Sequence, residues 1–102
     1  MKIIYVDIDE TICWTPPDRD YYKSLPDYDR IQKINELYDS GNKIVYWTAR
    51  GTVTGIDWRE TTEKQFRDWG VKYHELILKK PVYDLFIDDK NVNSEVYFKE
   101  VN

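Results

Sequence analysis

Two adjoining stretches near the start of the chain decide its fold. The first, Lys2–Val6, reads KIIYV, and the second, Asp7–Thr11, reads DIDET. The first stretch is rich in β-branched and aromatic residues and stops abruptly at a carboxylate, which is typical of a buried strand whose carboxyl end opens into a loop. Open α/β sheets place their sites at that end of the strands. We therefore predict a strand at positions 2–6 and a candidate site directly after it.

Three more apolar runs predict further strands, and polar residues of catalytic type follow two of them. The runs are Ile44–Trp47, followed by Thr48-Ala49-Arg50-Gly51; Leu76–Leu78; and Leu85–Ile87, followed by Asp88-Asp89. Apolar residues at helical spacing predict two crossover helices between these strands. The first contains Ile31, Ile34, Leu37 and Tyr38, and the second contains Trp58, Thr62, Phe66 and Trp69.

Strands and helices that alternate in this way predict an α/β fold with a parallel sheet and right-handed crossovers. We expect positions 1–102 to form a single domain, because 102 residues suffice for one hydrophobic core and are too few for two. The tail at positions 91–102 fits either a short helix or an edge strand.

Composition narrows the class of function. The net charge is −4, and no basic stripe is present, so long nucleic acid is a poor candidate ligand. The single cysteine, Cys13, excludes an internal disulfide, and we interpret it as structural. No apolar segment is long enough for a signal peptide or a membrane span, so we expect a cytoplasmic protein without a membrane partner. His74 precedes the third strand, and we interpret it as a surface or structural residue.

The acidic run contains two carboxylates, Asp7 and Asp9, two residues apart, so both can face the same side of the sheet's carboxyl edge. Such a pair can divide the labour of phosphoryl transfer. One carboxylate attacks phosphorus, while the other donates a proton to the leaving oxygen and later withdraws one from water. A solvated acidic turn is the alternative interpretation of the same spacing.

Further candidate residues follow the other strands. Asp88 and Asp89, if their strand lies beside the first, would complete an oxygen-rich pocket suited to Mg²⁺, although an exposed turn also fits them. Phosphoryl transfer also needs donors that hold negative charge. The hydroxyl of Thr48, the backbone amide of Ala49 and the ammonium group of Lys80 are candidates for this role.

Taken in order, these motifs resemble those of the haloacid dehalogenase-like (HAD) superfamily. The resemblance runs from position 3 to position 90 and rests on the order and spacing of four motifs. They are Asp7-Ile8-Asp9-Glu10-Thr11, Thr48, Lys80-Pro81 and Ile87-Asp88-Asp89. The chain most resembles small capless phosphatases associated with capsule and sugar-phosphate metabolism, whose second motif often reads Thr-Ala-Arg.

The resemblance implies a Rossmann-like three-layer sandwich with a mostly parallel central sheet and no cap domain. It also implies that Asp7 is the nucleophile and that Asp9 is a general acid/base whose backbone carbonyl contacts Mg²⁺. Thr48 and Lys80 would bind the phosphoryl group, with Lys79 as a neighbouring alternative to Lys80. Asp89 aligns with the direct metal ligand, and Asp88 would act through water or a hydrogen bond.

The expected substrate is a small phosphorylated molecule such as a sugar phosphate or nucleotide. Residues 14–28 follow the acidic run and predict an aromatic flap, in which Trp14 is a candidate substrate contact. Arg19 or Lys23 could meet a second anionic group, and Arg50 is another candidate substrate contact. An ordered surface loop is the alternative interpretation of the flap, and the residues leave the oligomeric state open.

A non-hydrolytic receiver-like or phosphate- and metal-binding regulatory domain is the alternative function. Receivers combine the same residue types on a parallel sheet, but their acidic pair comes first and their phospho-acceptor stands alone on a later strand. The presence of Asp9 beside Asp7 favours the phosphatase, because only turnover gives it a role.

Overall fold

The structure is a computed structural model that describes residues 1–100. In chain order its elements are β1 (Ile3–Val6), β2 (Cys13–Trp14), β3 (Leu25–Pro26), α1 (Tyr28–Asp39), β4 (Lys43–Trp47), α2 (Arg59–Trp69), β5 (Glu75–Ile77) and α3 (Ser94–Glu100). A short 3₁₀ helix, Tyr21–Lys23, lies between β2 and β3.

The main sheet has three parallel strands in the order β1-β4-β5. Its register places Val6 opposite Tyr46, and Tyr46 opposite Leu76. Strands β2 and β3 form a separate antiparallel ribbon. The predicted α/β fold with a parallel sheet and crossover helices is therefore confirmed.

Most of the buried hydrophobic residues lie on one side of the main sheet, which we call the inner face; Val45 of β4, which is 1% exposed, points to the other side. Strand residues Val6, Ile44, Tyr46 and Leu76 pack on the inner face against Ile31 and Ile34 of α1, Phe66 of α2 and Phe98 of α3. Burial of one such side chain contributes about 1.5–3 kcal/mol to stability. The helical spacing predicted for α1 and α2 thus has its physical cause in this shared core.

Local signals fix where the two crossover helices begin and end. The Asp27 carboxylate accepts a hydrogen bond from the Arg30 amide (3.2 Å) at the start of α1. Helix α2 ends at Gly70, whose φ of 70° is left-handed and favours glycine. The tail forms the helix α3 rather than an edge strand, with Asn93 accepting a hydrogen bond from the Glu95 amide; positions 101–102 lie outside the described residues.

We call the opposite side of the sheet the outer face. The expectation that the first strand is buried is wrong on this side. Ile3 and Tyr5 of β1 point to this face and are 62% and 57% exposed. The reason is that the buried apolar residues of α1, α2 and α3 all join the core of the inner face.

The predicted strand at Leu85–Ile87 is wrong for this structure. Residues 78–93 contain no helix or strand, and Leu85 and Ile87 are 74% and 86% exposed. A run of three apolar residues holds strand geometry only when a neighbouring strand pairs with it, and this one lies unpaired.

Among residues 1–100, every helix is too short or too polar to cross a bilayer.

Candidate functional site

The acidic run leaves β1 in a tight turn that the core anchors. Ile8 and Ile12 are fully buried, and the amides of Thr11 and Ile12 both donate to the Ile8 carbonyl (3.1 and 2.9 Å). Because side chains alternate along an extended chain, the burial of Ile8 directs its two neighbours, Asp7 and Asp9, to the other side. Both carboxylates therefore lie at the carboxyl edge of the sheet, as the sequence predicts.

Lys80 is the lysine that reaches Asp7. Its Nζ lies 3.5 Å from Asp7 Oδ1, and its backbone amide donates to the Thr48 carbonyl (2.9 Å), which holds it at the end of β4. Lys79 is exposed and has a positive φ of 68°. The geometry thus favours Lys80 over the neighbouring alternative.

Asp7 is the more accessible of the two acids, with 38% of its side chain exposed. Thr11 Oγ1 donates to its Oδ2 at 3.4 Å. Burial raises the pKa of Asp7 above its ordinary value, and the positive charge of Lys80 opposes this shift without cancelling it. A partly desolvated carboxylate beside a cation is a suitable arrangement for a nucleophile that receives a phosphoryl group.

Asp9 is held much more tightly, by Arg50. Arg50 Nη2 donates to Asp9 Oδ1 (2.9 Å) and Nε donates to Oδ2 (3.1 Å), which is a bidentate pair. The Thr15 hydroxyl makes a further short hydrogen bond to Oδ1. Burial, the largest single influence, would raise the pKa of Asp9, but Arg50 and Thr15 together outweigh it and lower the pKa.

The prediction that Arg50 contacts substrate does not fit its position in the structure. Its side chain is fully buried. Its Nη1 donates to Thr62 Oγ1 (3.0 Å) and Gln65 Oε1 (2.6 Å), both on α2, and its guanidinium lies 4.7 Å from the centre of the Tyr21 ring. Arg50 thus connects the loop after β4, helix α2 and the acidic run. The sequence signal for this role is Thr62, a polar residue at a core position of the predicted helix.

Thr48 lies where the sequence predicts, directly after β4. It is 1% exposed, and its Oγ1 accepts a hydrogen bond from the Arg50 amide (3.1 Å). Its own hydroxyl proton remains a donor for a bound anion. The next residue, Ala49, accepts a hydrogen bond from the Thr52 amide (3.0 Å), which closes the turn after the strand.

The aromatic side chains of the predicted flap, residues 14–28, pack against other parts of the chain. The Arg30 guanidinium lies over the Trp14 ring (5.1 Å from its carbon to the ring centre), so Trp14 packs beside α1, and with 43% of it exposed its contact with substrate stays a prediction. Tyr21 and Tyr22 instead pack edge-on against Trp58 (5.0 and 5.1 Å between ring centres). The aromatic residue of the flap that borders Asp9 and Arg50 is therefore Tyr21.

The flap's predicted cations are engaged by carboxylates of the same chain. Arg19 lies 2.6 Å from Glu10, and Lys23 lies 3.8 Å from Asp20. Both pairs are at the surface, where such contacts are weak and exchange readily with another anion.

Two residues that the sequence analysis set aside have structural roles. Cys13 is buried, and burial followed by the negative charge of Asp9 raises the pKa of its thiol to about 12, although Arg50 Nη2 lies 3.8 Å from the sulfur. A buried thiol with a raised pKa is a poor nucleophile, and Arg50 is a cationic neighbour that the sequence did not indicate. His74 Nδ1 accepts from the Ile44 amide (3.1 Å), and its ring stacks on Tyr38 (4.6 Å).

The expected four-acid pocket is not formed. Asp88 and Asp89 are exposed, and Asp88 accepts a hydrogen bond from the Lys90 amide (3.1 Å). Within residues 1–100, no three side chains of the His, Cys, Asp and Glu types lie close enough together to hold a metal ion. Asp7 and Asp9 alone, with Asp9 committed to Arg50, do not fit the six-oxygen requirement of Mg²⁺. The physical reason is the unpaired position of Leu85–Ile87.

A crystal structure of a structural-genomics target from Vibrio cholerae is similar to this chain. The TM-score is 0.85 and the sequence identity 28%, over 96% of this chain and 88% of that one. The two chains share a fold. No family model and no curated protein matches the chain. The likeness supports the compact α/β architecture described above.

Proposed function

We propose that this protein is a phosphatase of the HAD type that hydrolyses a small phosphorylated metabolite in the cytoplasm through an aspartyl-phosphate intermediate. The observation that carries the proposal is the contact between Asp7 and Lys80. A partly exposed carboxylate at the carboxyl edge of a parallel sheet has an ammonium group 3.5 Å away, where an incoming phosphate would lie. Thr48, directly after β4, is a further candidate donor at the same edge of the sheet.

In the proposed reaction an oxygen of Asp7 attacks phosphorus, and the bond from phosphorus to the leaving oxygen breaks. Water then attacks phosphorus, releasing inorganic phosphate and the free carboxylate of Asp7. Lys80 holds the negative charge of the phosphoryl group during both steps, with Thr48 as a second donor.

Asp9 is proposed to take the proton from the attacking water. Its bidentate contact with Arg50 favours the anionic form, which is the form that a general base requires. The same contact disfavours the acid half of the role, in which Asp9 would protonate the leaving group. Substrates with good leaving groups, such as aryl phosphates, therefore suit this geometry better than alkyl phosphates.

The proposed site can hold Mg²⁺ only if residues 78–93 adopt a different conformation. Leu85–Ile87 is apolar and exposed, and one edge of β1 is free in the three-stranded sheet. Pairing of this segment with β1 would bury apolar surface and bring Asp88 and Asp89 toward Asp7. Such a fourth strand would also bring the fold closer to the Rossmann-like layout that the resemblance implies.

Phosphate release is the test of the reaction class. Wild-type protein and Asp7→Asn are incubated with sugar phosphates, nucleotides and an aryl phosphate, each with Mg²⁺ or with EDTA. We expect release by the wild type that vanishes in Asp7→Asn and is fastest with the aryl phosphate. Equal release by the two proteins would refute the role of Asp7.

One observation favours the phosphate-binding form of the alternative, a non-hydrolytic regulatory domain. Asp88 and Asp89 form no metal-binding group with Asp7, and Asp9 is engaged by Arg50. This arrangement suits the binding of phosphate better than the hydrolysis of a phosphate ester. Saturable binding of phosphate without release from any substrate would select this alternative.

A further inference from the structure

Each acid of the run DIDET has a cation of its own, and the three cations differ in how accessible they are. The pairs are Asp7 with Lys80, Asp9 with Arg50, and Glu10 with Arg19. The exposed fraction of the side chain is 14% for Lys80, 0% for Arg50 and 48% for Arg19. Of these three cations, Arg19 is therefore the one that a molecule in solution reaches most easily.

A short series of contacts connects Arg19 to Asp9. Arg19 Nη2 donates to Glu10 Oε1 (2.6 Å), and Glu10 Oε2 accepts a hydrogen bond from the Thr15 amide (3.2 Å). The hydroxyl of Thr15 in turn donates to Asp9. Burial raises the pKa of Asp9, and the groups that lower it include Arg50 and, with a smaller effect, Arg19. Arg19 therefore borders the site closely enough for its charge to act on Asp9.

The guanidinium of Arg19 keeps donors for a ligand. Among residues 1–100 it makes one hydrogen bond, from Nη2 to the Glu10 carboxylate. A guanidinium carries N–H groups along more than one edge, so the rest can form the paired hydrogen bonds with which arginine recognises a carboxylate or a phosphate. Glu10 thus orients Arg19 without occupying all of its donors.

The backbone at both partners of this pair is unusual. The φ angle is 59° at Glu10 and 59° at Arg19, and among residues 1–100 Lys79 is the one other non-glycine residue with a positive φ. Left-handed conformations are uncommon at residues other than glycine, and they concentrate at functional sites. Their occurrence at both partners supports a functional role for the pair.

Lys23, the other cation that the sequence offers for a second anionic group, is not part of this arrangement. Within residues 1–100 it pairs with Asp20 (3.8 Å) and with no acid of the run DIDET. The structure therefore favours Arg19 over Lys23 as the contact for such a group.

The local charge accepts an anion, although the chain as a whole carries a net charge of −4. The three acids of the run are balanced by their three cations. Exposed charges farther away than about 8 Å are largely screened at physiological salt. A ligand at this site is therefore affected mainly by the paired groups, and the open N–H groups of Arg19 are donors toward it.

We propose that the substrate carries a second anionic group, a carboxylate or a second phosphate, and that Arg19 binds it. The phosphoryl group that reacts lies between Asp7 and Lys80, and the second group lies against the open N–H groups of Arg19. This inference rests on the proposed function, because it takes Asp7 and Lys80 as the place of the first phosphate. It narrows the expected sugar phosphates and nucleotides to those that are anionic at two points.

Two pairs of ligands that differ by one anionic group test the proposal. Phosphoglycolate is compared with ethyl phosphate, and fructose bisphosphate with fructose monophosphate, by calorimetric titration of Asp7→Asn at matched concentrations of free Mg²⁺. We expect the member with two anionic groups to bind roughly tenfold more tightly in at least one pair. The pair that shows this advantage distinguishes a carboxylate from a second phosphate.

Variants of the flap assign the advantage to a residue. Arg19→Ala in the same background should lose it, with the affinity for the single-anion ligand unchanged. Arg19→Lys keeps the charge without the paired hydrogen bonds and should retain only part of it. Lys23→Ala is the matched control and should retain all of it. An advantage that is absent from both pairs, survives Arg19→Ala or disappears in Lys23→Ala would overturn the proposal.

The binding measurement is independent of turnover. An advantage that depends on Arg19, found together with no phosphate release from any substrate by the wild type, would overturn the hydrolysis and support the anion site. Phosphate release by the wild type without any such advantage would support the hydrolysis and overturn the anion site.

Discussion

At the residue scale, the two acids of the run DIDET differ in their surroundings although they stand two positions apart. Asp7 faces the open edge, where burial raises its pKa and Lys80 only partly compensates. Asp9 faces Arg50, which lowers its pKa against the effect of burial. One acid is therefore less stable as an anion in the folded protein, and the other is more stable.

Asp7→Asn should increase stability in a pH-dependent way. Because the native pKa of Asp7 is raised, the native state binds this proton more tightly than the unfolded state does, and ionisation of Asp7 opposes folding. This cost is fully present above the native pKa and disappears below the unfolded value of 3.8. The stability of Asp7→Asn relative to the wild type should therefore be higher at neutral pH than at about pH 3.

Urea unfolding at the two pH values measures this difference. A stability difference between Asp7→Asn and the wild type that does not change with pH would contradict the raised pKa of Asp7.

Arg50→Ala should be among the most destabilising substitutions in the chain. It leaves the carboxylate of Asp9 largely buried without its partner, which costs about 3–5 kcal/mol when a buried ion pair is broken. Arg19→Ala is the matched control, because Arg19 also pairs with a carboxylate, that of Glu10, but about half of each side chain is exposed. Its loss should cost at most about 1 kcal/mol. Denaturant unfolding of both variants measures the two losses in free energy of unfolding. Similar losses would contradict a strongly stabilising pair between Arg50 and Asp9.

At the element scale, the turn after β4 is shaped by Gly51. Its φ is 80°, and a Cβ at this position would lie 2.0 Å from the carbonyl oxygen of Ile56. The turn thus requires glycine for both its conformation and its close packing. Because Gly51 follows Arg50, the shape of this turn also positions the guanidinium that holds Asp9.

Alanine substitutions at two glycines separate these requirements. Gly70 has a similar φ of 70°, but a Cβ there would meet no atom within 4 Å. Gly70→Ala should therefore cost only the conformational term, about 1–2 kcal/mol. Gly51→Ala carries the backbone clash as well and should cost clearly more. Thermal unfolding of the two variants measures the order, and a larger cost at Gly70 would contradict the structure of the turn.

At the scale of the whole molecule, the position of residues 78–93 decides whether the site can hold Mg²⁺. If Leu85–Ile87 pairs with β1 when the metal binds, Mg²⁺ binds the folded state alone and raises its stability by mass action. We expect the melting temperature of the wild type to rise by several degrees in Mg²⁺ relative to EDTA.

Asp89→Asn should lose this increase, because it removes the proposed third carboxylate. Asp84→Asn, which changes an exposed acid of the same segment, should retain it. Equal responses of the two variants to Mg²⁺ would exclude Asp89 from a metal site.

Local patterns account for most of the predicted fold. Strand β1, helix α1 and helix α2 were predictable because each has an apolar period that matches its own geometry, and because Gly70 marks the end of α2. The position of Asp7 and Asp9 was predictable for the same reason, since they follow the strand directly.

The wrong predictions concern contacts between distant parts of the chain. Leu85–Ile87 has the composition of a strand, but a strand exists only where a partner supplies hydrogen bonds, and no local pattern reports the partner. Arg50 comes directly after a strand, where substrate contacts are common, but it is buried because it donates hydrogen bonds to Thr62 and Gln65 on α2.

The sequence by itself determined the order of the elements and the edge of the sheet at which the acids lie, because short-range periodicity and strand ends are properties of neighbouring residues. Only the tertiary structure decided that Lys80 rather than Lys79 meets Asp7, that Arg50 holds Asp9, and that Ile3 and Tyr5 of β1 are exposed. These facts depend on which side chains meet across 30 or more positions of the chain, where packing and burial rather than local propensity determine the outcome.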